Sequence, residues 1–207
     1  MARFSRARAI RQRTWLAIGV ILSVLLCDQV IKVAVKTNMC LHEARQVTEW
    51  FYIYFTENQG MAFGMDFIGT MALSIFRIIA VSAFAWLLVK VIRGRYPVGL
   101  VVCMSLIVSG AAGNIFDNCF YGLIFDASTP TEVAHFVPFG TGYADFLTGH
   151  VVDMFYFPLI DASWPQWVPM VGGEHFVFFS AVFNFADAAI SCGAVALLFF
   201  YHRYIQS

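Results

Sequence analysis

The chain has 207 residues, of which 60% are hydrophobic and 13% are charged, and its mean hydropathy is +0.72. A soluble domain carries about 25% charged residues, so the composition excludes a soluble protein and predicts an integral membrane protein. The 13 basic and 13 acidic residues cancel, and the basic residues are explained by membrane topology, so no nucleic-acid partner is predicted.

Four apolar runs are long enough to cross a bilayer as helices. A hydrocarbon core of roughly 30 Å takes about 20 helical residues. The predicted spans are 15–36, 70–92, 98–116 and 182–201, and the predicted outer loops are 37–69 and 117–181. The sequence therefore predicts one α-helical, membrane-embedded domain over residues 1–207.

The positions of the basic residues predict the orientation of these spans, because cytoplasmic loops collect Lys and Arg. Five arginines precede the first span, and Lys90, Arg93 and Arg95 surround the turn between the second and third spans. From residue 117 to residue 174 the chain has no Lys or Arg. Both termini are predicted to face the cytoplasm, and both long loops are predicted to face outward.

The outer loops predict a small extracytoplasmic region that contains β-structure. Residues 48–56 are rich in Trp, Tyr, Phe and Thr, which favour a strand, and the Trp and Tyr rings favour the boundary between lipid and water. The two glycines of segment 57–64 predict a turn. In the second loop, Pro130, Pro138, Gly140 and Gly142 predict that 123–148 is an irregular insertion.

The five cysteines and five histidines give no metal signature. The cysteines show no CxxC spacing and the histidines show no HExxH spacing, so no metal and no cofactor are predicted. Cys27, Cys103 and Cys192 fall within predicted spans, where a thiol acts as a small apolar side chain. Cys40 and Cys119 fall in the outer loops and could form a disulfide in an oxidising compartment.

Each predicted span contains a polar residue at a similar depth. With a rise of about 1.5 Å per residue from the inner end of each span, Asp28, Arg77, Asn114 and Asp187 lie about 20 to 24 Å above the cytoplasmic face. Polar groups inside a membrane are costly to keep, so this shared level predicts a functional polar layer near the outer face.

Each of these residues also has a structural interpretation. Asp28 and Lys32 are four residues apart on one helical face and could be a neutralising ion pair that supports the bundle. Arg77 could extend its side chain to the lipid headgroups. Asn114 follows several small residues and could join two helices through its amide. Asp187 has no Lys or Arg within a helical turn, so the functional interpretation is favoured for it.

Asp153 and Asp187 both sit in short apolar frames, VVDMF and NFADAAI. Two carboxylates that meet can share one proton, because both cannot readily ionise when they are about 3 Å apart. Such a pair can hydrolyse a peptide bond without a metal, since one group takes a proton from water and the other donates one.

The motifs, taken in order, resemble the lipoprotein signal peptidases, also called signal peptidase II, of bacterial inner membranes. The matching segments are DQVIK (28–32), ENQGMAF (57–63), GAAGNIFD (110–117), HVVDMF (150–155) and FNFAD (183–187). They follow the order of the family and its layout of four spans with both ends inside. Any one segment alone is a weak signal, whereas five in order are specific.

The resemblance implies an intramembrane aspartyl endopeptidase that removes the signal peptide of diacylglyceryl-modified prolipoproteins, cutting before the lipidated cysteine. Asp153 and Asp187 would be its catalytic dyad. The residues that would bind substrate or support the site are Asp28, Lys32, Asn58, Gly60, Asn114, Asp117, Asn184 and Ala186. The expected partners are the prolipoprotein substrates and membrane lipid. The expected state is a monomer in the bacterial inner membrane, with its active site toward the outer face.

The chain departs from the family in two places. The family usually has Asn-x-x-Asp-Arg, but here Asn118 follows Asp117, and Arg77 could replace the missing arginine. The link before the HVVDMF segment is short in the family and is expanded here by residues 123–148. This insertion contains five Phe and Tyr residues. It is predicted to be a flap that closes over the site, and the alternative is a surface decoration.

Two other classes of function stay open for a chain of this kind. A small proton-coupled transporter also uses acidic residues inside a helix bundle, although a proton relay should spread them over several depths. A non-enzymatic scaffold could use the interfacial aromatic residues. The ordered motifs favour the peptidase.

Overall fold

The computed structural model describes residues 2–58 and 70–204, and four long helices dominate this part of the chain. Each contains an apolar stretch long enough to cross a membrane, which confirms the prediction of four spans. A single 3-10 turn, His202–Tyr204, follows the last helix. The helices are α1 (Ala2–Lys36), α2 (Thr70–Arg93), α3 (Val98–Ile124) and α4 (Phe185–Tyr201).

Three of the helices have bounds that differ from those of the predicted spans. Helix α1 begins at Ala2, before residue 15, because the arginine-rich segment has high helix propensity and contains neither Pro nor Gly. Helix α3 continues past residue 116 to Ile124, where the insertion packs on its last turns. Helix α4 begins at Phe185, after residue 182, because the preceding residue, Asn184, is extended and caps the helix.

The described strands form two antiparallel sheets. The larger sheet has the order β1-β2-β3-β6, and the smaller sheet pairs β4 with β5. The predicted strand in 48–56 is confirmed for residues 51–56, which belong to β2, whereas no strand was predicted for the segment that forms β3. The strands are β1 (Ala44–Thr48), β2 (Phe51–Asn58), β3 (Val151–Tyr156), β4 (Ile160–Ser163), β5 (His175–Phe178) and β6 (Val182–Phe183).

Two apolar cores lie on either side of a polar layer. One core joins α1, α2 and α3, and it includes Ala17, Leu88 and Met104. The other joins the opposite ends of α1 and α3 to the larger sheet, and it includes Phe55 and Tyr121. The residues predicted to carry function on α1 and α3 fall between these cores along both helices.

Small residues let α3 lie directly against the start of α4. A Cβ atom added at Gly110 would collide with the backbone carbonyl of Ala186. A Cβ atom added at Gly113 would meet the Asp28 carboxylate at 2.7 Å. The small-residue surface of α3 therefore brings three helices together where the polar residues lie, as expected for packing of membrane helices.

The insertion folds back onto the last turns of α3. Val137 N–H donates a hydrogen bond to Ile124 O at 2.9 Å, and Ala144 N–H donates one to Gly122 O at 3.0 Å. Apart from an isolated bridge between Phe125 and Phe136, residues 126–149 contain no regular element, which confirms the predicted irregular insertion. These backbone hydrogen bonds fasten the segment to the helix, and whether it moves during function stays a prediction.

All five cysteines lie in the described part of the chain, and all are free thiols. Cys119 is buried on α3, and Cys40 is half-buried after the end of α1. The possible disulfide between them is therefore not formed.

Candidate functional site

Asp153 and Asp187 are held by different kinds of element. Asp153 lies in β3, opposite Thr56 of β2, and its side chain is 5% exposed. Asp187 is the third residue of α4. Its backbone N–H donates to Asn184 Oδ1 at 2.8 Å, and its carboxylate accepts from Asn184 N–H at 3.5 Å. This reciprocal capping box fixes the Asp187 carboxylate at the positive end of the helix dipole.

Asn184 joins the two carboxylates. Its Nδ2 donates to Asp153 Oδ1 at 2.7 Å, while its own backbone N–H faces Asp187. Asn114 holds Asp187 from the other side, with Nδ2 donating to Oδ1 at 2.8 Å. The two aspartates that the sequence singled out therefore meet around one buried amide.

The environment of Asp153 favours its protonated form. Burial and the nearby Asp187 carboxylate raise the pKa of Asp153 to about 7, against an ordinary value of 3.8, although the Asn184 hydrogen bond acts in the opposite direction. Asp187 instead accepts two N–H donors at a helix N-terminus. The two carboxylates thus lie in different environments, one on a buried strand and one at the start of a helix.

Behind Asp187, Lys32 is the centre of a buried network. Its ammonium group contacts Asp28 Oδ2 at 2.9 Å, Asp117 Oδ2 at 2.7 Å and Asn114 Oδ1 at 2.8 Å, so each of its three N–H donors has an acceptor. The predicted pair of Asp28 and Lys32 is confirmed, and it extends to a second carboxylate. Because Asn114 also contacts Asp187, the network reaches the candidate dyad.

Asp28 and Asp117 position the backbone next to Asp187 and Asp153, respectively. Asp28 Oδ1 accepts from the backbone N–H of Ala186 at 2.9 Å. Asp117 Oδ2 accepts from the backbone N–H of Val152 at 3.4 Å. Each carboxylate thereby fixes the residue that immediately precedes a dyad aspartate, which explains how Asp28, Ala186 and Asp117 can support the site.

Three of the four residues predicted at one depth are connected in the structure. Lys32 joins Asp28 to Asn114, and Asn114 contacts Asp187 directly. Arg77 is the fourth member. Its Nη1 donates to Asn118 Oδ1 at 2.9 Å, and Asn118 Nδ2 donates to Gly149 O at 2.7 Å. Arg77 therefore points inward, against the residue that occupies the arginine position of the family motif, and the interpretation of Arg77 as a lipid-headgroup contact was wrong.

A cleft between α2, α3 and α4 has its polar end at Asp187, Asn114 and Arg77. Along each helix the lining residues follow one another at intervals of one, three or four residues, so one face of each helix lines the cleft. Beyond the polar end the lining is apolar down to Leu198, which is about 16 Å along α4 from Asp187. The apolar lining residues are Phe76, Ala80, Val81, Phe84, Ile107, Ala111, Ile190, Ala194, Leu197 and Leu198.

A second polar cluster joins α1, β2 and the insertion. Lys36 Nζ forms a short ion pair with Glu57 and donates to Ser128 Oγ at 2.8 Å, and Glu57 Oε2 lies 3.0 Å from His150 Nδ1. The pKa of Glu57 is lowered to about 2, because hydrogen bonds and the charge of Lys36 outweigh its burial. Lys36 also lies 4.9 Å from the centre of the Tyr143 ring.

Sequence reasoning missed several of these polar residues. Gln29 was missed, although its Nε2 donates to Asp117 Oδ1 at 2.9 Å. The contacts of Lys36 with Glu57 and with Ser128 were missed, because these two partners lie 21 and 92 residues after Lys36 in the sequence. The available signal was Lys36 itself, since it follows Asp28 and Lys32 by whole helical turns and so falls on the same inward face.

Asn58 and Gly60, the remaining predicted site residues, are described unequally. Asn58 ends β2 and pairs with Val151 of β3, two residues before Asp153. Gly60 lies outside the described residues. Within residues 2–58 and 70–204, no group of three His, Cys, Asp or Glu side chains is arranged to hold a metal ion.

The chain is similar to known proteins over most of its length. The family model "Signal peptidase (SPase) II" matches residues 20–203. A "Lipoprotein signal peptidase" of Porphyromonas gingivalis is 48% identical over 189 residues, 91% of this chain and 83% of that protein. One of Amoebophilus asiaticus is 37% identical over 196 residues, 90% of this chain and 77% of that protein.

A solved structure shares the fold. It is described as "Bacterial membrane enzyme structure by the in meso method", and it matches with a TM-score of 0.59 at 22% identity. The match covers 88% of this chain and 90% of that chain. At this identity the likeness concerns the fold alone.

Proposed function

This chain belongs to the signal peptidase II family, and on that premise we propose that it removes the signal peptide of lipid-modified prolipoproteins in the bacterial inner membrane, cutting before the lipidated cysteine. The observation that carries the proposal is the pair of carboxylates joined by Asn184 beside the cleft between α2, α3 and α4. In this proposal Asp153 and Asp187 carry the catalysis, and the protein acts as an aspartyl endopeptidase.

The proposed reaction uses the two aspartates in opposite states. Asp187 takes a proton from a water molecule, whose oxygen attacks the scissile carbonyl carbon, while Asp153 donates its proton to the carbonyl oxygen. The tetrahedral intermediate then collapses, the carbon–nitrogen bond breaks, and the leaving nitrogen takes a proton from the dyad. The raised pKa of Asp153 supports its role as the acid at neutral pH.

The cleft supports a membrane-embedded substrate. Its apolar length of about 16 Å can accommodate roughly three turns of a helix, and it ends at Asp187. A signal peptide has an apolar segment of 7 to 15 residues before its cleavage site. In the proposal this segment lies in the cleft, and the peptide bond to be cut lies beyond it at the dyad.

The other predicted residues take supporting roles in this proposal. Asp28, Lys32 and Asp117 hold the backbone around the dyad through the contacts described above, and Asn114 and Asn184 orient the carboxylates. Asn58 and Gly60 are proposed to contact the substrate backbone. The protein is further proposed to act as a monomer, with both termini in the cytoplasm and the active site toward the outer face, where lipid surrounds the substrate.

A proton-coupled transporter has no support from the relatives, which are named as peptidases. A transporter should also have carboxylates at several depths in the membrane, and the arrangement of carboxylates in this structure differs from that. Asp28, Asp117, Asp153 and Asp187 belong to a single cluster joined by Lys32, Asn114 and Asn184.

The test is incubation of the purified protein in lipid with a synthetic prolipoprotein peptide whose cysteine carries a diacylglyceryl group. Mass spectrometry should find cleavage on the amino side of that cysteine. The same peptide without the lipid and the Asp153→Asn variant are the controls. No cleavage of the lipidated peptide by folded protein would reject the proposed function.

A further inference from the structure

A second groove between α2, α3 and α4 lies at the ends of these helices that are farther from Asp187, and the proposed reaction does not use it. It has a volume of about 400 Å³, which is within the range of small-molecule sites. Phe84 and Leu197 line both this groove and the cleft that ends at Asp187, so the two cavities lie end to end. Leu197 follows Asp187 by about 15 Å along α4. We call the second cavity the inner groove.

The inner groove combines an apolar lining with a cation at its far end. Leu100 and Met104 of α3, which are both buried, line its apolar part. Lys90, in the last turn of α2, lines the end farther from the dyad together with Tyr96 and Tyr204. Tyr rings are common at the level of lipid headgroups. The lining therefore fits an amphipathic molecule that has an apolar chain and a polar head.

Lys90 has no acidic partner in the part of the chain that the structure describes. Its Nζ lies 3.5 Å from the centre of the Trp86 ring, and none of the ion pairs among residues 2–58 and 70–204 includes it. The sequence has no Asp or Glu in 1–27, 67–116 or 188–207, whereas each of these segments contains Lys or Arg. A negative partner for Lys90 must therefore come from another molecule.

Charge selects among the molecules that could fill the inner groove. The amino-terminal region of a signal peptide is positively charged, so Lys90 would repel that end of a substrate. A second copy of this chain would bring the same helix ends, which carry basic residues and no acidic ones. An anionic glycerophospholipid offers an acyl chain for the apolar lining and a negative phosphodiester for Lys90. Basic pockets between membrane helices bind headgroups of this kind.

We propose that the inner groove binds one anionic glycerophospholipid, with an acyl chain against Leu100 and Met104 and the phosphodiester beside Lys90. The Trp86 ring holds the ammonium group through a cation–π contact. The topology proposed above places this end of the molecule in the cytoplasmic leaflet. The lipid site is separate from the dyad and takes no part in cleavage.

The first test is native mass spectrometry of the protein released from vesicles that contain equal parts of phosphatidylglycerol and phosphatidylcholine with identical acyl chains. We expect one phosphatidylglycerol to be retained per chain. Lys90→Gln should lower the ratio of bound phosphatidylglycerol to bound phosphatidylcholine by about fivefold, which is the contribution of one Lys beside anionic lipid.

The matched control for the charge is Arg93→Gln, which removes an exposed cation from the same helix end outside the inner groove. It should change the ratio of the two lipids by less than about twofold, because solvent screens an exposed charge. Equal losses in Lys90→Gln and Arg93→Gln would show a diffuse attraction of anionic lipid to the basic helix ends and would overturn the proposal.

The second test blocks the apolar part of the inner groove. Leu87→Trp places a larger side chain in the groove and keeps Lys90, so retention of either lipid should fall. Val89→Trp, at an exposed position of the same helix outside the groove, should leave retention unchanged. Thermal melts in detergent check that both variants fold. Unchanged retention by folded Leu87→Trp would overturn the proposal.

The third test locates the lipid on the wild-type protein and needs no variant to fold. Phosphatidylglycerol with a photoactivated diazirine in its acyl chain should label residues of the inner groove, as mass spectrometry of peptides would show. Labels spread evenly over the outer faces of the helices would overturn the proposal. Loss of the label when the lipidated prolipoprotein peptide is added to Asp187→Asn would assign the groove to the substrate instead. A two-chain mass that Leu87→Trp abolishes would assign it to a second copy. None of these measurements depends on cleavage, so the proposed function and this proposal fail separately.

Discussion

Two lysines one turn apart on α1, both fully buried, serve different parts of the molecule. Lys32 contacts two carboxylates and the Asn114 amide, and all its partners belong to helices that surround the dyad. Lys36 pairs with one carboxylate, Glu57, and otherwise contacts Ser128 and the rings of Phe125 and Tyr143. These three residues belong to the helix end and insertion that cover the larger sheet.

The comparison separates support of the backbone around Asp153 and Asp187 from support of the insertion and the larger sheet. Loss of Lys32 leaves Asp28 and Asp117 facing each other without a cation, next to the backbone of both dyad residues. Loss of Lys36 leaves Glu57 with two other partners, Ser128 and His150. We therefore expect the Lys32 cluster to control activity and stability together, and the Lys36 cluster to control mainly the attachment of the insertion.

The largest effect on cleavage should come from replacing either of the two proposed catalytic residues, Asp153 and Asp187. Asp153→Asn and Asp187→Asn each remove one half of the proton exchange, so we expect kcat to fall by about three orders of magnitude or more. The kcat of the double variant should be no lower than that of the less active single variant, because the two residues act as a unit. Single-turnover assays with thermal melts check this. Near wild-type cleavage by a folded single variant would remove that aspartate from the dyad.

Replacing Lys32 by Met should have the next largest effect. It leaves buried carboxylates unpaired, so we expect the free energy of unfolding to fall by about 3 to 5 kcal/mol and cleavage to fall with it. The double variant Asp28→Asn/Lys32→Met should recover part of the stability. The measurement is a double-mutant cycle from denaturation in detergent. Additive losses would show that the pair seen in the structure contributes no coupling energy.

The raised pKa of Asp153 predicts how activity and stability change with pH. Above pH about 7 the acid is lost, so the cleavage rate should fall by up to about tenfold per pH unit. The stability of the folded state should also fall as pH rises. A carboxyl with a raised pKa stabilises the folded state below its ordinary value of 3.8, and that contribution is lost as pH rises through about 7. Asp153→Asn should therefore gain stability relative to the wild type between pH 5 and pH 8, as melting temperatures would reveal.

The smallest effect on cleavage should come from Lys36→Met. We expect kcat to change by less than about threefold, because the substitution is separated from the dyad by the Lys32 network. Proteolysis within residues 126–148 should become faster as the insertion loosens. Lys90→Met, which removes an exposed lysine over the Trp86 ring, is the matched control. A loss of activity as large as that of Lys32→Met would mean that the two clusters act as one.

The four spans, the part of β2 within 48–56 and the clustering of polar residues within the spans could be predicted from the amino-acid sequence. The polar residues singled out from the sequence include Asp28, Lys32, Asn114, Asp153 and Asp187. Membrane spans are readable because a bilayer demands long apolar helices, and buried polar residues stand out within them. The Asp28 and Lys32 pair was predictable because a helix repeats every 3.6 residues, which fixes neighbours four positions apart. Exact bounds were less predictable, because capping by Asn184 and packing on the last turns of α3 depend on distant segments.

The contacts between polar groups that are distant in the sequence could not be predicted, because they depend on the tertiary structure. Lys32 finds Asp117, Arg77 finds Asn118 and Lys36 finds Ser128 at separations of 41 to 92 residues, and helical periodicity carries no information at such distances. The contact that joins the two aspartates depends on the strand pairing of β3 with β6, which delivers Asn184 to Asp153. Register between strands is set by packing of whole elements, so the geometry of the dyad exists only once the helices and the sheet have assembled.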